Sequence, residues 1–311
     1  MFSFERAVQP TLYFVGVTTE KSSIMKVFPK WAEALNLKNA TIKGIDLPIH
    51  APVDQYREVV DFLKNDPMSL GALVTTHKID LFEACRDMFD YIDPYADTLG
   101  EVSCLSKSEG DFKAHAKDPI SSGLSLEHFV PKNFWKDHGG EALLIGAGGR
   151  SLAMSLYFAQ ERHGANIPKK ITMANRSKPR LESARDHLAG ISDRIYLEFK
   201  HSLKPENNDE LVAKLPPYSL IVNATGLGKD APGSPTTNAV DYPEHSLVWE
   251  INYRGDLIFM DQAIAQKQAK KLKVEDGWVY FIHGWTQVIS EVFQIPIEGP
   301  VLEKLSDIAK L

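Results

Sequence analysis

Two stretches of this chain carry residue types that could move a proton. GALVTTHK places Lys78 just beyond an apolar run, and AHAKDP places Asp118 ahead of Pro119. An ammonium and a carboxylate brought together shift each other's pKa and can pass one proton to or from a reacting oxygen. Taken singly, each is equally well an exposed ion-pairing residue. A third stretch, ALLIGAGGRSLA over 142–153, has the makings of an anion site. Its apolar run delivers Gly146, Gly148 and Gly149 to the start of an apolar-periodic segment over 151–160, in the order strand, tight turn, helix. Without a Cβ at Gly146 and Gly148 the chain can turn sharply, and pyrophosphate oxygens can reach main-chain N–H groups at a helix N-terminus. Arg150 and Ser151 complete the turn, Ser151 standing where the dinucleotide fingerprint has a third small residue. Further on, ITMANRSK does not end its strand in the acid that would bond a ribose and repel a 2′-phosphate. It ends in Asn175, Arg176, Ser177 and Lys178, with Arg180 close behind. Those donors suit a phosphomonoester, which points to NADP with NAD possible. A plain tight turn and a solvated basic loop are the alternatives.

These groups need elements to hold them. A chain of 311 residues, 43% hydrophobic and 24% charged, has room for two ordinary domains. A net charge of −6 argues against a nucleic-acid surface. No apolar run reaches the ~18 residues of a membrane span, and MFSFERAVQPT lacks the basic and apolar regions of a signal peptide. Cys85 and Cys104 have no metal-ligand spacing around them. The expectation is a cytoplasmic protein with a small-molecule substrate, no metal, no nucleic-acid or membrane partner, and a monomeric or homodimeric state.

Apolar patterning predicts strands over 11–17, 40–45 and 71–75, with amphipathic helices over 25–35 and 53–63. A polar stretch over 121–140, containing Pro131 and Gly139-Gly140, is the expected domain boundary. Beyond the glycine turn come a helix over 178–188, a polar segment near 205–209 and strands over 220–223 and 247–251, which complete a parallel doubly wound sheet. Two helices over 257–293 should return toward the first domain. The fold class is therefore α/β with two domains. An N-terminal α/β substrate-binding domain is expected over 1–125, a Rossmann-type dinucleotide-binding domain over 126–275, and C-terminal helices over 276–311.

Six ordered motifs resemble the shikimate dehydrogenase family over nearly the whole chain. They are the N-terminal loop with Gly16 and Ser22, VTTHK at 74–78, GEVSCL at 100–105 followed by Asp118, the glycine turn with its NRS sequence, VNATGLG at 222–228, and Asp276-Gly277 before a closing helix. The resemblance implies reversible, NADP-dependent hydride transfer between nicotinamide and a hydroxyl or carbonyl of a small cyclic hydroxy acid. It implies that Lys78 delivers the proton to the carbonyl oxygen while Asp118 orients it. It puts Ser22, Ser23, Thr75, Ser103, Gln287 and Tyr253 at the substrate. Asn223, Ala224 and Thr225 become ribose or nicotinamide neighbours, where the plainer reading is a strand end with a turn. Tyr253 is alternatively core packing, and His77 beside Lys78 is a substrate contact or a structural histidine. Trp278, Tyr280 and Phe281 stand where the family has small or flexible apolar residues and would narrow the pocket.

The sequence also departs from the family pattern. The second N-terminal serine falls on Ile24, the substrate asparagine on Ser103 and the threonine after it on Cys104. AKD at 116–118 stands for NTD, and the closing-helix glutamine falls on Gly284, with Gln287 about one helical turn further on. A site that binds hydroxyls loses affinity when its polar partners vanish. The substrate is therefore expected to be some hydroxylated cyclic acid or ketone other than shikimate. A quinate/shikimate dehydrogenase proper and a catalytically lapsed NADP-binding sensor are the alternatives.

Overall fold

β1 (Thr11–Gly16) is buried at every position, as a central strand with both faces covered must be. β2 (Thr41–Asp46) and β3 (Ser69–Val74) flank it in parallel, reached through α1 (Ile24–Ala34) and α2 (Val53–Asn65). On α1 the residues Ile24, Val27, Phe28 and Trp31 recur at helical spacing and are buried. After α3 (Lys78–Cys85) come β4 (Tyr91–Ile92) and α4 (Pro94–Leu99), the latter capped by the Asp93 carboxylate, which accepts the Ala96 N–H at 2.6 Å. β5 (Cys104–Ser108) and β6 (Asp111–His115) form an antiparallel hairpin whose two turn residues, Glu109 and Gly110, have φ of 57° and 89°. Two positive φ values in succession suit the right-handed twist of the strands. The strand order is β2-β1-β3-β5-β6-β4.

The chain then runs through α5 (Asp118–Phe129), α6 (Phe134–His138), β7 (Ala142–Ile145), α7 (Gly149–Phe158), β8 (Lys170–Asn175) and α8 (Lys178–His187). Next are β9 (Tyr196–His201), α9 (Pro205–Ala213), β10 (Leu220–Asn223), β11 (Leu247–Glu250), α10 (Ile258–Gln266) and β12 (Lys273–Glu275). α11 (Trp278–Phe293) and α12 (Gly299–Ala309) close the chain. The second sheet is parallel throughout in the order β12-β11-β10-β7-β8-β9, a doubly wound Rossmann sheet. Its order reverses between β7 and β10, the switch point at which such sheets bind ligands.

The computed structural model describes residues 4–191, 193–229 and 231–310. Two units emerge, one reaching Lys117 and resuming at Gly284, the other spanning Asp118–His283. The expected boundaries at 125/126 and 275/276 differ because α5 packs on α7 within the second unit and α11 spans the later junction. The stretch over 121–140, expected as the domain boundary, holds most of α5 and all of α6. Its serines are small residues that let α5 approach α7: Ser121, Ser122 and Ser125 are buried, and a Cβ on Gly123 would lie 2.3 Å from the Tyr157 ring. Among the described residues no helix is long and apolar enough to cross a membrane.

Candidate active site

In the first unit, the carboxyl ends of β1 and β3 bring Gly16 and Thr75 together. The Thr75 N–H donates to the Val15 carbonyl at 3.0 Å, and a Cβ on Gly16 would lie 3.1 Å from Thr75 Cγ2. Between β3 and α3 the chain turns through Thr76 at φ 54°, a left-handed conformation that a β-branched residue adopts only under strain. The His77 N–H closes the turn on the Thr75 carbonyl, and Lys78 opens α3, half-buried. His77 is 1% exposed, and its Nδ1 meets the Tyr56 hydroxyl at 3.0 Å. Burial holds its pKa below the ordinary histidine value, partly opposed by backbone carbonyls and Asp80. It is a structural histidine.

Ser22 and Ser23 lie at the entry to α1, half-buried, where the Ser22 N–H donates to the Thr19 carbonyl. Ile24, in place of the second serine, is fully buried in the core. Ser103 pairs with the end of β3, its carbonyl accepting the Val74 N–H at 2.9 Å. Its hydroxyl accepts the Lys117 N–H at 2.7 Å, so the side chain expected at the substrate braces the main chain instead. Cys104 behind it is fully buried, and burial pushes its thiol pKa up. Gln287 lies in the second half of α11, whose Trp285 packs on Phe14 of β1 at 5.0 Å between ring centres.

In the second unit, Gly146 has φ 114°, and its Cβ position is 2.9 Å from the Ala224 carbonyl oxygen. Only glycine permits that backbone and that approach. The Ala224 N–H donates to the Ile145 carbonyl at 2.8 Å, so the loops after β7 and β10 meet at the switch point. Gly148 is the N-cap of α7, and no atom lies within 4 Å of where its Cβ would be. The Ser151 side chain, expected at the cofactor, turns inward: fully buried, its hydroxyl donates to the Gly146 carbonyl at 2.6 Å and fixes the turn. Arg150 is half-buried with its guanidinium 5.8 Å from the Tyr280 ring centre.

At the end of β8, Asn175 accepts the Arg176 N–H at 2.9 Å, and Ser177 caps α8 through the Arg180 N–H at 3.4 Å. Arg176, Lys178 and Arg180 are exposed beyond it. At the end of β10, Asn223 is fully buried and scaffolds its own loop. Its Oδ1 accepts the Thr225 N–H and hydroxyl at 3.0 and 2.6 Å, and its Nδ2 donates to Glu250 at 2.7 Å. Ala224 and Thr225 are half-buried, and the Thr225 hydroxyl also accepts the Leu227 N–H at 3.1 Å, so this side chain too is part of the scaffold. Glu250 also accepts both the main-chain and side-chain N–H groups of Asn252 at 2.8 Å. Burial pushes its carboxyl up to about 7, against those hydrogen bonds. Sequence reasoning passed over Glu250 and Asn252, although an acid ending an apolar strand, WEIN, was a signal. Tyr253 packs on Phe281 and Trp278 at 4.7 and 5.8 Å between ring centres, so the aromatics expected to narrow a pocket form a cluster with it. Asp118 opens α5 and is 7% exposed; it belongs to the second unit and Lys78 to the first.

The sequence is similar to two named shikimate dehydrogenases (NADP(+)). It is 29% identical to that of Streptococcus thermophilus over 75% of this chain and 76% of the relative. It is 25% identical to that of Paramagnetospirillum magneticum over 79% and 81%. The chain is thus similar to shikimate dehydrogenases over about three quarters of its length. No family profile matches it. A quinate dehydrogenase from Corynebacterium glutamicum, solved in complex with NAD, superposes with a TM-score of 0.73 over 96% of this chain and 98% of that one at 16% identity, which establishes the shared fold. Against the motif pattern of that family, the strongest departures are Ile24, committed to the core, Ser103, committed to the main chain, and Gly284, which has no side chain at all.

Proposed function

We propose that the chain is an NADP-dependent oxidoreductase that reversibly transfers hydride between nicotinamide and a hydroxyl or carbonyl of a small cyclic hydroxy acid other than shikimate. The observation that carries this is the glycine turn at the switch point. Gly146 is tucked under Ala224, and Gly148 leaves the amino end of the ten-residue α7 open. A pyrophosphate fits there, because the first N–H groups of a helix point outward and its dipole favours an anion. Arg176, Lys178 and Arg180 are the residues to hold a 2′-phosphate.

NADP, when bound, supplies the hydride chemistry. The protein's part is acid–base and electrostatic. Lys78 donates the proton to the carbonyl oxygen in reduction and takes it back in oxidation, its ammonium stabilising alkoxide charge, and Asp118 orients it. Shikimate is disfavoured because three of the family's polar contacts are gone at Ile24, Ser103 and Gly284, and each unpaired buried polar group costs ~1–3 kcal/mol. Cys85 and Cys104 are free thiols, in keeping with a reducing cytoplasm.

The test is a panel of cyclic hydroxy acids followed by reduced-nicotinamide absorbance, wild type beside Lys78→Ala. Turnover of a panel member should fall by ~10²- to 10⁴-fold in the variant while NADP affinity is kept. Turnover that survives the substitution would remove Lys78 from the chemistry, and shikimate as the best substrate would remove the specificity argument.

A further inference from the structure

Glu250 ends β11 fully buried, and every hydrogen bond it makes among the described residues is one that it accepts. The Asn252 main-chain N–H and Nδ2 both reach Oε1 at 2.8 Å, and Asn223 Nδ2 reaches Oε2 at 2.7 Å. The Asn252 amide carries this arrangement outward. Its Nδ2 also donates to the Thr225 and Leu227 carbonyls at 3.2 and 3.3 Å, so one NH2 group ties the end of β11 to the loop after β10. Three acceptors around that nitrogen fix which way the amide points. Its Oδ1 is left buried without a hydrogen-bond partner among the described residues. The loop it tethers includes Ala224, whose carbonyl covers the Gly146 turn.

An orphaned buried acceptor is costly, and a half-turn of the amide would give Oδ1 a new neighbour. With Glu250 ionised that half-turn is closed off, because it would set Oδ1 against the carboxylate and two carbonyls. A proton on Oε1 reverses the balance. It finds no acceptor while the amide stands as it does, whereas the turned amide offers it Oδ1. The same turn takes Nδ2 off the Thr225 and Leu227 carbonyls, so the proton and the tether exclude each other. Burial pushes the Glu250 carboxyl up to about 7, against its hydrogen bonds and the Arg150 charge, so both forms are populated near neutrality. Besides the two asparagines, the groups acting on it are Arg150 at the amino end of α7 and Tyr242 ahead of β11, whose phenol burial keeps neutral.

We propose that Glu250 is a positioning residue for the dinucleotide, its carboxylate holding the Asn252 amide, and through it the loop after β10, in the form that supports the glycine turn. A proton on Glu250 releases that loop, so dinucleotide affinity rises with pH. The proposal rests on the dinucleotide reading of the switch point.

The full chain is titrated with NADP by fluorescence from pH 5.5 to 8.5, wild type beside Glu250→Gln, whose neutral amide imitates the protonated form. The 2′-phosphate titrates alike with both proteins, so the ratio of their dissociation constants removes it. That ratio should be near one at pH 5.5, and wild type should bind at least tenfold more tightly at pH 8.5. The reciprocal effect is read in wild type, where misfolding of a variant plays no part. With carboxyl-13C glutamate, the Glu250 resonance should titrate at lower pH when NADP is bound. A constant ratio or an unmoved Glu250 titration overturns the positioning role. So does a ratio that runs the other way, which would mean that the carboxylate charge repels the phosphates directly. Failure of wild type to bind NADP at any pH overturns the dinucleotide reading itself, whereas binding with a constant ratio overturns the positioning role alone.

Discussion

Arg176 stands exposed at the end of β8, where its charge acts on whatever docks against the second sheet. Charge-assisted hydrogen bonds contribute ~1.5–3 kcal/mol, so Arg176→Ala should weaken NADP by about tenfold or more and leave NAD nearly untouched. Fluorescence titration with both dinucleotides checks this, and equal weakening would contradict the phosphate role. Single residues were legible in the sequence when backbone geometry dictated them. Gly146 could be nothing but glycine, and the structure gives it φ 114°. Residues whose role depends on which way a hydroxyl or amide turns were not legible. Ser151, Ser103 and Asn223 all read as ligand contacts, yet each directs its polar atoms at the protein's own backbone or at Glu250. Periodicity says which face a residue is on and nothing about its hydrogen-bond partner.

At the scale of elements, the turn between β3 and α3 stores strain at Thr76. Residues in such conformations cost ~1–3 kcal/mol and persist where the surrounding structure over-determines them. Asparagine tolerates the left-handed region far better, so Thr76→Asn should raise stability by about 1 kcal/mol, read as the denaturant midpoint at constant slope. A lower midpoint would mean that the threonine side chain makes contacts outweighing the strain. The opposite sign is expected at the glycine turn. Gly146→Ala forces a methyl to 2.9 Å from the Ala224 carbonyl at a φ of 114°, so it should destabilise by ~1–3 kcal/mol and open the loops after β7 and β10, with dinucleotide affinity lost as well. The strands and helices of the two parallel cores were legible because β1, β7 and β10 are short apolar runs buried on both faces. β5 was not, because its buried positions include Ser106, whose hydroxyl meets His115 at 3.0 Å and carries no apolar signal. α5 carried no apolar signal for the same reason, its packing face being serine and glycine, and its stretch read as a domain boundary.

Across the whole molecule, Glu250 and His283 are two buried groups that pull stability against pH in opposite directions. Burial pushes Glu250 up to about 7 from its usual 4.5, against hydrogen bonds from Asn252 and Asn223 and the charge of Arg150. The folded protein therefore holds that proton more tightly than the unfolded chain across the window from 4.5 to about 7, and stability falls as pH rises through it. His283 does the reverse. Burial first, and the His128 charge second, lower it from 6.5 to about 4, against the attraction of Glu127, so stability is lost as pH falls across that window. Between pH 5 and 7 the slopes of Glu250 and His283 therefore oppose each other. Glu250→Gln removes the ionising carboxyl and leaves the other titrating groups in place. Subtracting the variant's unfolding free energy from that of wild type at each pH cancels the histidine, and the difference should fall with rising pH by up to ~3 kcal/mol before levelling above about 7. Denaturant titrations at several pH values measure it, and a difference independent of pH would mean that Glu250 is already ionised throughout and that the donors of Asn223 and Asn252 outweigh its burial.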